Sequence, residues 1–195
     1  EEEFAKEIVK LIGRLFRIKA SIHRRSNGNK TGLEITACNS YLASAFENLC
    51  GKGAENKHIP FIFQELPSDL QNVILQAIWR GDGTQQRANK STSIQKSITT
   101  ISKVLGEQIV DILLRQKIYP GLYISANHRD ARGTNHRTAY HVVWIKGGKQ
   151  KYNLLYYKRD GSTYWLLPVQ EVVHQEYAGP VYNLTVDQDH SYIAS

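Results

Sequence analysis

Apolar residues recur every three to four positions in four stretches of the chain and every second position in several others. The two periods divide it into helices and strands. Phe4, Ile8, Leu11, Ile12 and Leu15 form one stripe and predict a helix over 1–16. Its leading glutamates suit the positive end of a helix dipole. Alternation over 18–25 and 33–37, around a turn at 26–29, predicts two strands paired as a hairpin with a longer loop. Ser40 is the expected cap of a helix over 41–49 that Gly51 and Gly53 end. A linker at 56–60 follows, and Phe61, Ile62, Phe63 and Leu66 are expected to pack at the start of the next helix.

The pattern is sharpest in Ser68–Thr84, SDLQNVILQAIWRGDGT. Ser68 is the expected N-cap, and Leu70, Val73, Ile74, Ala77, Ile78 and Gly81 share one helical face. Ala77 and Gly81 leave almost nothing between this face and a neighbour, so another helix can approach closely there. Asp82 emerges at the C-terminal end, between Gly81 and Gly83. That end carries partial negative charge, so a carboxylate there is poorly placed for stability and well placed to hold a cation. A helix stop followed by a simple turn explains the same residues without chemistry.

Beyond Gly83 the period changes. Two polar runs, 84–90 and 93–99, read as strands; a helix over 103–117 is capped by Ser102 or Thr100 and turns Val104, Ile109, Ile112 and Leu113 inward. Gly106 inside that helix costs on the order of 1 kcal/mol against Ala and points to close packing. Strands are predicted over 122–127 and 138–145, with a loop at 128–137 rich in His, Arg, Gly and Asn. Short strands are expected at 164–167, 170–176, 181–186 and 191–194.

Composition narrows the function classes. The 195 residues carry a net charge of +7, which favours anionic partners, nucleic acid first. No apolar run reaches membrane-spanning length, and no signal peptide is visible. Cys38 and Cys50 lack metal spacing and read as reduced structural thiols of an intracellular, cytoplasmic protein. The chain has no Met, so it is expected to begin inside a longer product or to have been trimmed. His128, His136 and His141 match no zinc spacing.

LQAIWRGDG, residues 75–83, resembles the signature of the LAGLIDADG (DOD-type) homing endonucleases, and IWRGDG resembles its intein-borne variant. The resemblance implies an α+β fold with an αββαββα repeat in each half and the signature helix first. It also implies that Asp82 binds a divalent cation, Mg²⁺ or another, with the Gly81 carbonyl as a further ligand. Arg80 stands where the family signature has its earlier acidic residue. Asn56–Pro60 resembles the K-x-I-P segment that precedes the second signature helix. On this template the first half lacks its signature helix and first two strands, and the second half starts at about residue 61. Family strands sit on DNA. Gln85, Arg87, Gln95, Ser97 and Thr99 are expected to alternate toward the bases, with Lys90 and Lys96 interspersed and Arg129, Arg132 and Arg137 on phosphates. An ordinary solvated sheet face is the plain alternative. The family also places a lysine near the attacking water; Lys146 is the candidate, with Lys149 and Lys96 behind it.

GPVYNLTVDQDHSYIAS, residues 179–195, resembles the C-terminal splicing segment of inteins, which implies the last strands of a Hint domain and a role for His190 in cleavage at the splice junction. The expected division is an endonuclease domain over 1–155 and Hint strands over 156–195. No nucleophile block and no terminal His-Asn are present, so the chain reads as part of a trimmed, split or longer intein, inactive alone. Its partners are then double-stranded DNA, the complementary half or a second copy, and the host exteins. The alternative is an insert that has lost nuclease activity and serves as a DNA-binding or scaffold part of an intein.

Overall fold

The computed structural model describes residues 2–27, 30–87, 94–131, 133–146, 155–159, 161–166 and 171–180. The chain divides into two compact units, Glu1–Gln150 and Lys151–Ser195.

In the first unit, helix α1 (Glu2–Phe16) lies against the hairpin of β1 (Ala20–Asn27) and β2 (Lys30–Ala37). The hairpin ladder runs from Ala20–Ala37 out to Asn27–Lys30, so the connection is shorter than the alternation suggested. Asn39, not Ser40, caps α2 (Ser40–Cys50): its side chain accepts from the Leu42 amide at 2.8 Å. Asn39 is extended and its carboxamide oxygen reaches the free amides of the first turn. A short α3 (Phe61–Gln64) leads into α4 (Ser68–Asp82). Ser68 is already helical and Pro67 holds the cap position with no side-chain bond. Proline cannot donate a backbone hydrogen bond, which costs nothing where the helix leaves its first amides free.

From α4 the chain forms β3 (Gly83–Arg87), β4 (Ile94–Thr100), α5 (Lys103–Arg115), β5 (Gly121–Ser125), the two-residue β6 (His128–Arg129) and β7 (Asn135–His136), and β8 (Ala139–Lys146). Strands β3, β4, β8 and β5 make one antiparallel sheet in that order. The result is helices on an antiparallel sheet, the α+β class expected. Its order is αββαββ, with a small ladder inserted, and no closing helix follows β8 among the described residues.

Alternation decides what each sheet face carries. Ile98, Val142 and Trp144 join Leu75 of α4 and Leu105, Ile109, Ile112 and Leu113 of α5 in the core. Val104, expected inward, is exposed, and Leu105 takes its place. The cap of α5 is Ser102, whose hydroxyl accepts from the Leu105 amide at 3.2 Å. Gly106 is buried, and a Cβ there would lie 3.2 Å from the Tyr140 Cβ. The missing side chain is what lets α5 lie this close to β8.

In the second unit β9 (Leu155–Arg159) and β10 (Ser162–Leu166) pair as a hairpin. Of the strand expected at 170–176, residues 171–176 carry no regular structure, and the strands expected at 181–186 and 191–194 lie outside the described residues. No helix among the described residues is long and apolar enough to cross a membrane.

Candidate active site

Helix α4 presents two faces. One is buried through Leu75 and Gln71 and lies on the core. The other keeps Leu70 and Val73 exposed, the latter at 65%, in line with the small Ala77. The apolar set of α4 is therefore split, with Ile74 and Ile78 packed partly against the core and the rest open. A groove of about 490 Å³ borders this open side, with Phe46, Phe63, Ile74, Ala77 and Ile78 among its lining and Gly81, Asp82 and Lys57 at the same site.

Asp82 is the last residue of α4, and its side chain is 66% exposed. Gly83 turns the chain straight into β3 while its amide still donates to the Trp79 carbonyl. The carboxylate thus stands where the helix ends and the sheet begins. Lys57 Nζ lies 4.0 Å from Asp82 Oδ2. Several bonds fix the segment that carries Lys57. The Ser102 hydroxyl donates to the Lys57 carbonyl at 2.6 Å. The Ile59 amide donates to Gln108 Oε1 at 2.7 Å, and Gln108 Nε2 returns a bond to the Ile59 carbonyl at 3.1 Å. Gln64 Nε2 donates to the same carbonyl at 2.9 Å. In the sequence Lys57 stands out only as the lysine of the K-x-I-P-like linker. The signal for its place is a clamp from α5, 45 residues onward, which no local pattern reveals.

Arg80, two residues before Asp82, turns toward α1. Its guanidinium donates to Glu7 Oε2 at 2.6 Å and lies 4.3 Å over the Phe4 ring. The hydrogen bond from Arg80 holds the Glu7 carboxyl below the ordinary glutamate range, and Glu7 raises Arg80 in turn. The residue that departs from the acidic signature thus ties the signature helix to α1. Gly81 faces the same way: a methyl there would meet Phe4 first, at 4.0 Å.

Strand register corrects the expected base-reading row. Gln85 pairs with Lys96 and Arg87 with Ile94, so these four share the face of Ile98 and Trp144. Gln95, Ser97 and Thr99 point to the opposite, open face, where their cross-strand mates are Gln86, Thr84 and His141. Two residues that alternate within one strand need not share a face with those of the next, because register sets that relation. Lys96 is buried, its ammonium 3.6 Å over the Trp79 ring, and it is not a DNA-facing cation. Gln85 and Arg87 are exposed, on the edge strand. The open face carries Thr84, Gln86, Gln95, Ser97, Thr99, Tyr123, Ser125, His141, Val143 and Ile145, and no Lys, Arg, Asp or Glu among the described residues.

Two of the three expected phosphate arginines, Arg129 and Arg137, are engaged within the protein. Arg129 Nε donates to the Gly133 carbonyl at 2.9 Å, and Arg137 donates to Glu55 at 3.2 Å. Arg137 remains 70% exposed. Lys90, Arg132, Lys149 and His190 lie outside the described residues. The Lys146 backbone pairs with Ile94; its side chain lies outside the described set. Its position is four residues along β8 from Val142, which shares a row with Ile98 and Gly83, about 13 Å at strand rise. The lysine that the fold brings to Asp82 is Lys57. His128 and His136 stack at 5.0 Å, with His136 3.2 Å from Asp130, and no cluster of three metal-ligating side chains occurs among the described residues.

A helix that ends in an acidic turn, runs straight into an antiparallel sheet and is repeated in order by a second helix–strand–strand set is the arrangement to compare with known families. Residues 69–161 match the LAGLIDADG-like domain. The match supports the LAGLIDADG homing-endonuclease family for this part of the chain, a family of DNA-binding nucleases with a dimer-type organisation. Over 176 residues the chain is 29% identical to the ATP-dependent DNA helicase Hel308 of Thermococcus kodakarensis, covering 80% of this chain and 15% of that protein. It is 26% identical over 161 residues to an iron-sulfur cluster assembly SufBD family protein of Mycobacterium tuberculosis, covering 77% of this chain and 18% of the relative. An uncharacterized protein of Methanocaldococcus jannaschii is 26% identical over 213 residues, covering 99% of this chain and 25% of its own length. The chain therefore spans a quarter or less of each of these relatives.

Proposed function

We propose that this chain carries half of the active site of an intein-encoded, site-specific DNA endonuclease, joined to the C-terminal part of a protein-splicing domain. The observation that carries the reading is the exposed Asp82 carboxylate at the end of the signature helix, with the Lys57 ammonium 4.0 Å away. A single carboxylate fits half of a Mg²⁺ site, because Mg²⁺ takes one or two carboxylates and fills its shell with water and phosphate oxygens. The negative end of α4 adds to the attraction. The Gly81 carbonyl belongs to the same helix end and is the second proposed ligand. When bound, the cation supplies an activated water and charge neutralisation at the leaving oxygen.

The residues of the chain have distinct parts in this reading. Asp82 anchors the cation. Lys57, clamped by Ser102 and Gln108, places a positive charge beside the scissile phosphate. Lys146 keeps its expected role only where the bound duplex, and not Asp82, brings its substrate near. The open face of the sheet reads base edges through hydroxyl, amide and imidazole groups. Exposed Arg87 and Arg137 are the described cations proposed to meet the phosphate backbone; Arg129, Lys90 and Arg132 keep the same proposed role. The uncovered Leu70–Val73–Ala77 side of α4 takes the complementary signature helix, which carries the second carboxylate.

Insertion into host proteins is supported by the relatives. Matching segments occupy a minor part of proteins whose names, a DNA helicase and an iron-sulfur assembly protein, share no chemistry. A mobile element accounts for that distribution. With the tail motif at 179–195, it supports the splicing role, His190 included. A second reading is an insert that binds DNA or braces the intein without cutting, favoured by the lack of any cluster of three metal-ligating side chains among the described residues.

The test uses the full-length parent protein with Mg²⁺ and duplex DNA carrying the uninterrupted host sequence. Asp82→Asn should lower cleavage at least about a hundredfold, the scale of losing one positioned electrostatic group. Lys57→Met should retain duplex binding and slow cleavage. Equal cutting by wild type and Asp82→Asn removes Asp82 from the mechanism; no cutting by wild type, with DNA binding intact, favours the second reading.

A further inference from the structure

The open face of the sheet holds a side-chain relay that crosses three strands. His141 on β8 sits between Thr99 on β4, 3.0 Å from Nδ1, and Ser125 on β5, 3.0 Å from Nε2. A separate pair, Thr84 and Ser97, bonds at 2.7 Å on the neighbouring strands of the same face. Both imidazole nitrogens are thus occupied inside the sheet, and the ring has no free nitrogen for a base. Its neighbours can still reach one, because each hydroxyl has one donor and two acceptor positions.

A neutral imidazole has one donor nitrogen and one acceptor nitrogen. The hydroxyl on its acceptor side spends its proton on the ring and shows only lone pairs outward. The hydroxyl on its donor side keeps its proton free to donate outward. A protonated imidazole donates from both nitrogens, so both Thr99 and Ser125 are freed to donate. Each hydroxyl then turns its proton outward and keeps one lone pair, so the pair goes from mixed to donor-rich and the face gains a positive charge. It has no Lys, Arg, Asp or Glu of its own among the described residues, and Tyr123, directly opposite His141, is its other titratable group.

We infer that His141 is a positioning residue for base readout: through Thr99 and Ser125 it sets whether the sheet centre offers donors or acceptors, and its protonation favours acceptor-rich base edges. In the major groove guanine shows two acceptors, N7 and O6, and no donor, so guanine is the base favoured. This rests on the proposed docking of duplex DNA on the open face.

The experiment binds the full chain to short duplexes with a randomised centre at about pH 6 and about pH 8, the span over which histidine changes charge, at one salt concentration. Wild type is compared with His141→Gln, which is polar and does not titrate, and with His141→Phe; circular dichroism checks folding. The wild-type gain in affinity at the lower pH should exceed that of His141→Gln by about tenfold, the scale of one charge-assisted hydrogen bond. Guanine should be enriched at the lower pH by wild type only. The other histidines are the same in wild type and variant, so the difference isolates His141. Identical pH gains and identical enriched sequences in wild type and His141→Gln overturn the inference while leaving DNA docking intact. An equal loss of affinity at both pH values overturns it too, because that marks a merely structural role. Absence of duplex binding by wild type at either pH overturns the docking itself.

Discussion

Asp82 is flanked by two glycines whose substitution by alanine should have opposite effects. A Cβ on Gly83 would lie 2.3 Å from the Trp79 carbonyl oxygen and 2.2 Å from Trp79 Cδ1. The indole can be displaced by rotation, but the carbonyl belongs to the helix backbone and accepts from the Gly83 amide itself. The last turn of α4 therefore has to shift. Trp79 also donates to the Thr84 carbonyl at 3.3 Å and lies under the buried Lys96 ammonium, so the shift reaches the sheet. Forcing extra atoms into a packed site costs about 1–3 kcal/mol. At Gly81 a new methyl meets only Phe4, at 4.0 Å, and alanine in a helix is favoured over glycine by about 0.5–1 kcal/mol. Urea unfolding of the full chain, followed by tryptophan fluorescence, reads both. With a slope of about 1–3 kcal/mol per molar urea, Gly83→Ala should lower the midpoint by roughly 1 M and Gly81→Ala should raise it by a few tenths. A Gly83→Ala midpoint equal to that of wild type would refute the argued backbone overlap. A Gly81→Ala loss as large as that of Gly83→Ala would refute the open space at Gly81.

Ser102 is fully buried, caps α5 and donates to the Lys57 carbonyl. Ser102→Ala should cost about 0.5–2 kcal/mol in chemical denaturation, the worth of a cap, and, under the proposed endonuclease function, should slow DNA cleavage by loosening Lys57. Glu7 has its folded pKa lowered, chiefly by the hydrogen bond from Arg80. Its contribution is therefore present above the unfolded glutamate pKa and is lost as pH falls through the lower folded value. Glu7→Gln should unfold more readily than wild type near neutral pH, and the two should converge in acid once pH has fallen through the lowered folded value. A gap between them that persists in acid would show that the charge of Glu7 is not what stabilises α1 against Arg80.

The helix over 68–82 shows how far sequence reading reaches. Its existence, its acidic end and its small Ala77 are legible because period and glycine placement are local. Its cap is not, since Ser68 and Pro67 compete for one position and proline needs no bond there. Gln71 is legible as polar only; in the fold it is buried and donates to the Gln64 carbonyl. The polar alternation on β3 and β4 is legible, but not which residues share a face. Lys96 illustrates the cost of that gap: a basic residue in a polar strand, it is buried with its ammonium over the Trp79 ring because Gly83 pairs with Ile98 and sets the register.

The sequence by itself determined the local elements, the position of Asp82 at a helix end and the basic balance that favours nucleic acid. These depend on periodicity, capping chemistry and charge, which are properties of short segments and of composition. The tertiary structure alone decided that Lys57 is the lysine beside Asp82 and that His141 bridges three strands. It also decided that one side of α4 is left uncovered. Each of these joins residues far apart in the chain, and such contacts follow from strand register and helix packing, which no local pattern encodes.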